Sequence, residues 1–484
     1  MRLRRWAALI AVLALVAAAC GSERESGDGQ AGGGTTDEPS GDATVDTIGT
    51  LPNPCGPADD GDAEGALASF SQDGGETQGI TDDSITVGTF SDPGFEQIPG
   101  LNQEMFDAAE AFAGWCNDQG GIDGRELVVN LRDAAVLDYP ARVEEACAQD
   151  FAVVGGGNAL DETGAQALTD CGLISIPGFA VTGAAALADN VVQVVPTNPY
   201  VKPTAWWLAA AEVLEEEGLD SEEIMANTGL MFSDNITSVL QTSEQTEAML
   251  GQLDGWEVTH HGVYDGIAGE DNWSPFAAAI EADGVRILNL AGAPGSHLEQ
   301  LQAALAQLGY TPDVILQEAN FYDLEYSQAI DGVNPDARQW VRGSVWPVEL
   351  ADENPATQHY VDNLAAFGPS GAEPALLGIH TWSAFLFFAT LASECSQEGD
   401  LTRTCVFDKA KDTTEWDGGG LHPPTNPASN EPSECGLLLE AVDGRFEIIW
   451  PPDPAPDQGA DGYHCTELAR IDGDWGEGVV AGGG

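Results

Sequence analysis

Lysine is all but missing from this chain of 484 residues: Lys202, Lys409 and Lys411 are all it has. Lysine and arginine together number 16 against 80 acidic residues, a formal net charge of −64. Such a field repels phosphate backbones and anionic lipid headgroups, which excludes nucleic acid and direct membrane-surface binding as functions. It fits a solvated acidic surface, or one suited to salty surroundings or a cationic ligand. Arrangements that make or break bonds are missing as well. There is no Ser/His/Asp, Cys/His or His-x-x-x-His pattern. His260 and His261 are adjacent, and on a strand they would point to opposite faces, so one metal ion could not take both. The run Gly155-Gly156-Gly157 is not a dinucleotide fingerprint, because Leu160 stands where the last glycine should be. No cofactor or metal is implied, and catalysis is not expected.

Long apolar runs are scarce. Trp6 to Ala19 follows Arg2, Arg4 and Arg5, is too short to span a bilayer comfortably, and has the layout of a secretory signal over residues 1–19. Its end, Ala17-Ala18-Ala19-Cys20, resembles a bacterial lipobox with alanine in place of the more usual leucine. That implies cleavage before Cys20 and a diacylglyceryl thioether on its sulfur. From there to about Gly79 the chain is rich in Gly, Ser, Asp, Glu and Thr and cannot bury enough surface to offset its ordering entropy. Residues 20–79 therefore read as a tether, with a reach on the order of 40 Å, and Cys55 pins its far end to the body. The run Leu376 to Ala392 is of marginal length for a membrane span and holds His380, Ser383 and Thr390, so it reads as a buried helix.

What is present is a large apolar fraction, 43%, enough for a sizeable core in more than one lobe. The organising stretch is Trp115 to Asp133. Met105, Ala108, Phe112 and Trp115 fall on one face of a helix that Gly120 and Gly121 end. Leu127, Val128, Val129 and Leu131 then make a strand ending at Asp133. With the strand Ile85 to Gly88 upstream, this is a β–loop–α–turn–β crossover. The same alternation of strands and helices continues to about residue 346, including a strand Val191 to Val195, and implies parallel sheets covered on both faces.

Asn117, the Gly-Gly-Ile turn, Gly124-Arg125 and a strand ending in Asp133 resemble the first unit of type I solute-binding proteins, the leucine/branched-chain amino-acid receptors of ABC importers. The resemblance runs, more weakly, from about Ile80 to about Cys465, and includes Asp271-Asn272-Trp273-Ser274 at the start of a helix. It implies an α/β protein of two Rossmann-like, flavodoxin-like lobes with parallel sheets around a hinged ligand cleft. Lobe 1 would take residues 80–200 and a return segment of about 347–410. Lobe 2 would take 201–346 and a C-terminal segment of about 434–465. The implied function is capture of a small polar solute by a lipoprotein on the outer face of the cytoplasmic membrane, delivered to ABC permease subunits, with the lipid as its only membrane contact. A monomer is expected. The alternatives are a sensory ligand-binding module and, third, a secreted enzyme.

Ligands of open α/β sheets sit at loops beyond the carboxyl ends of strands. Those loops hold Ser91, Asn158, Phe179 and Thr182 on one wall and Asp234, Glu318 and Tyr322 on the other. Members that take amino acids grip the carboxylate with hydroxyls after the third and fourth strands and the ammonium with an acid on the second wall. Here Asn158 or Ala159 and Phe179 or Ala180 replace the hydroxyls, while Glu318 falls at the acidic position. Half of that clamp is missing, and the sequence leaves the solute open. The glycines 155–157 could cradle an anion with their backbone amides or simply make the strand-to-helix turn.

Nine cysteines less Cys20 leave eight, an even number in an exported chain, hence four disulfides. In a flavodoxin-like order the second and third helices share one face of the sheet, which pairs Cys147 with Cys171 and leaves Cys116 for Cys55. Cys395 with Cys405 and Cys435 with Cys465 resemble the short-range pairs of actinobacterial-type members.

Overall fold

The computed structural model describes residues 47–58, 75–292, 296–456, 460 and 462–482. The expected signal segment, Cys20 and most of the tether lie outside the described residues. Residues 47–58, which composition assigns to the tether, form a hairpin of β1 (Thr47–Ile48) and β2 (Leu51–Pro52). Ile48 is buried in the core, and Cys55 is bonded to Cys116. Ile48, the disulfide and a few backbone hydrogen bonds thus hold a segment whose composition alone reads as unstructured.

The first sheet has β3 (Ser84–Ser91), β4 (Glu126–Asp133), β5 (Ala152–Val154) and β6 (Ile174–Ile176), all parallel, in the order β4-β3-β5-β6. Gly121 is required between helix Gln103–Asp118 and β4: its φ is +80°, and a Cβ there would meet the Arg125 carbonyl oxygen at 2.0 Å. Val191 to Val195 does not become a fifth strand. Val191 makes an isolated bridge to Ser175, after which side chains take the carbonyls: Lys411 donates to Val191 O and Thr425 to Val194 O. The chain leaves the sheet edge and crosses to the second lobe through β7 (Val201–Lys202).

The second sheet contains β8 (Thr228–Ser233), β9 (Val258–Tyr264), β10 (Ile287–Leu290), β11 (Val314–Gln317) and β12 (Arg338–Gly343), parallel, in the order β9-β8-β10-β11-β12. Both sheets therefore wind as a flavodoxin-like fold does. The second is mixed rather than purely parallel, because β13 (Cys435–Val442) and β14 (Arg445–Trp450) add an antiparallel hairpin beside β12. Asp443 and Gly444 at its turn both have positive φ, as a two-residue hairpin turn demands. Strand β15 (His464–Cys465) pairs with β13, and β16 (Ala469–Arg470) pairs with β7. The chain then runs back to the first lobe, where Tyr200 donates to Gly476 O and Gln166 to Val480 O.

The helix Leu376–Gln397 is, among the described residues, the one long and apolar enough to cross a membrane. It is instead the central core element, nearly all buried, packed on helix Gln103–Asp118. Phe112 meets Trp382 and Phe385 at ring-centroid distances of 5.0 and 5.3 Å. Aromatic burial on this scale contributes roughly 1.5–3 kcal/mol per side chain, more than any surface ion pair in the chain can supply. Disulfides join Cys55–Cys116, Cys147–Cys171, Cys395–Cys405 and Cys435–Cys465.

Candidate functional site

Three of the segments that carry the chain between the lobes are Val195 to Pro203, the stretch after β12 from Ser344, and Thr425 to Cys435. All three line one cavity of about 320 Å³. Loops beyond the strand ends supply its walls. Phe95, Ile98 and Leu101 follow β3, Val136 follows β4, and Phe179 and Val181 follow β6. Opposite them stand Ile236 and Val239 after β8, Tyr264 at the end of β9, and Glu318 to Asn320 after β11. The walls touch across the cleft: Ser238 Oγ donates to Ala159 O at 2.6 Å, and Gly183 N donates to Gln241 Oε1 at 3.2 Å. Parallel strands aim their carboxyl ends into this space from both sides, which is why so many separate segments reach it.

The cavity is mainly apolar, and its few charges are specific. Among the described residues that line it, Glu318 is the one acid and Lys202 and Arg342 are the two bases. Arg342, on β12, ion-pairs with Glu318 at the end of the neighbouring β11. Its guanidinium carbon lies 4.7 Å from the Trp207 ring centroid and 5.8 Å from that of Trp206, a cation–π stack that fixes the group. Burial pushes the Arg342 guanidinium below its ordinary pKa, and Glu318 opposes that. Lys202 is different. Among the described residues none accepts a hydrogen bond from its ammonium. Burial lowers its pKa to about 8 against the pull of Glu318, with Arg342 adding repulsion.

Three histidines line the space and are neutral. His380 donates from Nδ1 to Gly178 O at 3.2 Å, and burial drives its pKa down to about 3. His422 is fixed by Pro423 O on Nδ1 and Ser383 Oγ on Nε2, and burial lowers it too. His297, edge-on to Tyr264, is likewise lowered by burial.

Of the seven expected contact residues, the structure brings Phe179 and Glu318 to the cavity. The other five do not line it. Ser91 is buried and donates to Asn102 O at 2.7 Å. Asn158 donates to Asp92 Oδ1 at 2.6 Å and accepts from Leu160 N. Thr182 caps a helical turn at Ala185 and donates to Asp161. Asp234 is exposed outside the cavity. Tyr322 is buried and donates to Glu349 at 2.6 Å while accepting from Val348 N at 2.7 Å. Glu318 pairs with Arg342 through one of its two carboxylate oxygens. Of the three amides an anion nest would use, Gly155 N donates to Ile176 O and Gly157 N to Phe90 O, so two are already taken by the turn. Lys202 and Arg342 were not among the expected residues.

A cavity at the strand ends between two doubly wound lobes, lined by segments that cross from one to the other, defines a two-lobed solute-binding protein. The chain belongs to the periplasmic binding protein family, whose family model matches residues 99–445, and it has the type I fold. It is similar in structure to a fatty acid ABC transporter substrate-binding protein from Thermomonospora curvata, with a TM-score of 0.63, 16% identity, and coverage of 77% of this chain and 93% of that one. It is also similar to a solute-binding protein of an ABC transporter from R. palustris in complex with 4-hydroxybenzoate (TM-score 0.58, 13% identity, 81% and 99% covered). A putative branched-chain amino acid ABC transporter protein from Rhodospirillum rubrum matches with a TM-score of 0.51 and 15% identity, with 76% and 100% covered. No curated protein matches the chain by sequence.

Proposed function

We propose that the protein is the substrate-binding receptor of an ABC importer and holds a small, largely apolar organic solute between its lobes. The observation that carries this reading is the mainly apolar cavity built from strand-end loops of both sheets and from three of the crossings. The T. curvata protein is described as a fatty acid receptor and the R. palustris protein holds 4-hydroxybenzoate. Both solutes have carbon frames that suit such walls. Lobe 1 (80–200 with about 347–410) and lobe 2 (201–346 with about 434–465) would close about the crossings, and permease subunits would engage the closed monomer. A lipid on Cys20 would hold it at the outer face of the cytoplasmic membrane.

Two measurements test this. Native mass spectrometry of the protein purified without unfolding should show a bound small molecule that is released on denaturation. Absence of any such molecule, together with no thermal stabilisation by any of a broad panel of organic solutes, would remove the receptor reading. Replacing Cys20 by alanine should move the protein from the membrane fraction to the medium; retention at the membrane would remove the anchor.

A further inference from the structure

The charges at the cavity specify one end of the solute. This step rests on the cavity being the solute site. The chain carries 80 acidic residues and three lysines, yet one of those lysines and Arg342 face the cavity against a single acid, Glu318. The Glu318–Arg342 ion pair neutralises itself. His297, His380 and His422 are uncharged near neutral pH, so they add nothing to the sum. One positive charge is left over, on Lys202, without a hydrogen-bond acceptor among the described residues. Lys202 is half-buried at a mainly apolar cavity, where an ammonium gains from a negative partner, and nothing lining the cavity besides Glu318 is negative.

We propose that Lys202 anchors the solute by a single carboxylate, so that the cavity takes an apolar monocarboxylate and rejects α-amino acids. An amino acid would bring a second cation into a space whose one acid is already engaged by Arg342. Size sets the rest. At about 30 Å³ per water-sized group, a cavity of 320 Å³ takes on the order of ten non-hydrogen atoms. A straight-chain acid of about eight carbons or a compact aromatic acid meets that figure. Lys202 lies on β7, so the anchoring charge sits on a crossing between the lobes. The same cavity is lined by Val136 and Phe179 on one wall and by Ile236 and Tyr264 on the other.

The experiment is titration calorimetry on the full-length protein freed of bound solute, with octanoate, benzoate, octanamide, octylamine and leucine as probes. At least one of the two acids should bind, at least tenfold more tightly than octanamide, and octylamine and leucine should give no heat. Lys202→Met should weaken the acid at least tenfold and leave octanamide unchanged, while Lys202→Arg should retain the acid. A melting temperature of the Lys202→Met protein at or above that of the parent excludes misfolding as the cause. Acid and amide binding alike, leucine binding in place of the acids, or undiminished acid affinity in Lys202→Met would each overturn the proposal. If neither acid binds while native mass spectrometry shows another solute in the protein, the carboxylate assignment fails and the receptor reading stands.

Discussion

Glu318 and Arg342 meet side by side from adjacent strands, inside the cavity rather than across it. The pair is well enclosed, with side-chain exposures of 17% and 7%. The pair meets through one guanidinium nitrogen and one carboxylate oxygen, and Arg342 Nε is buried with no partner among the described residues. Glu318→Gln keeps the shape but removes the counter-charge. A hydrogen bond to a charged partner contributes about 1.5–3 kcal/mol, so urea unfolding should show a loss of up to that size. Affinity for an acid should rise, because the cavity then carries two uncompensated cations. A fall in acid affinity at unchanged stability would instead place Glu318 in contact with the ligand.

Binding of an acid should depend on pH through Lys202. Its pKa is lowered to about 8 by burial, and the groups facing it are Glu318 and Arg342. The solute carboxylate is ionised above about pH 5 and favours charged lysine, so the pKa in the complex is higher than in the free protein. Affinity is then level from about pH 6 to 7.5 and falls above about pH 8, by about tenfold per pH unit until the bound pKa is passed. Lys202→Arg should remove the fall. A profile that stays level to pH 10 in the parent would show that the lysine charge takes no part.

Much of this architecture is legible from the chain alone, and for definite reasons. Met105, Phe112 and Trp115 advertise a helix by spacing, and Gly121 is a glycine because Arg125 O lies where its Cβ would be. Asp443-Gly444 marks its hairpin by the positive φ that both residues need. The site is harder to see. Knowing that a loop follows a strand does not say which way its side chains turn: Tyr322 leaves Glu318 by four positions and finds Glu349 instead of solute. Lys202 escaped because it lies on a crossing, not after a main-sheet strand, and only the tertiary fold brings it beside Glu318. One signal was available. In a chain with three lysines, one placed in a proline-flanked connector is an unusual choice for a solvated surface.

Three buried carboxyls should make the fold more stable in mild acid. Burial raises Asp161 to about 7, Asp92 to about 6 and Glu104 to about 8. Unfolded carboxyls titrate near 4. Between those limits the folded state holds more protons than the unfolded one, so stability falls as pH rises from about 4 to about 8. The melting temperature should be higher at pH 5.5 than at pH 8. Surface repulsion in so acidic a chain acts in the same direction, and salt separates the two. At 1 M the screening length is about 3 Å, which suppresses the surface contribution and spares the enclosed one. Asp161→Asn should then flatten part of the remaining slope, and a slope that vanishes altogether at 1 M salt would assign it to the surface.

The bond between Cys55 and Cys116 should be a large single contributor to stability outside the aromatic core. It ties the β1–β2 hairpin to helix Gln103–Asp118 across a sequence separation of 61 residues. In the chain-entropy account a closed loop of that length restricts the unfolded ensemble by about 4 kcal/mol. Gly56 N donates to Gly121 O and Gly124 N to Gly56 O, so the disulfide also keeps two backbone hydrogen bonds in place at the turn between helix and β4. The Cys55→Ser, Cys116→Ser protein should therefore lose about 4 kcal/mol in urea unfolding. It should also become open to protease between residues 47 and 80 while acid binding persists, because neither cysteine lines the cavity. A loss below about 1 kcal/mol would mean that Ile48 and its neighbours hold the hairpin by packing alone.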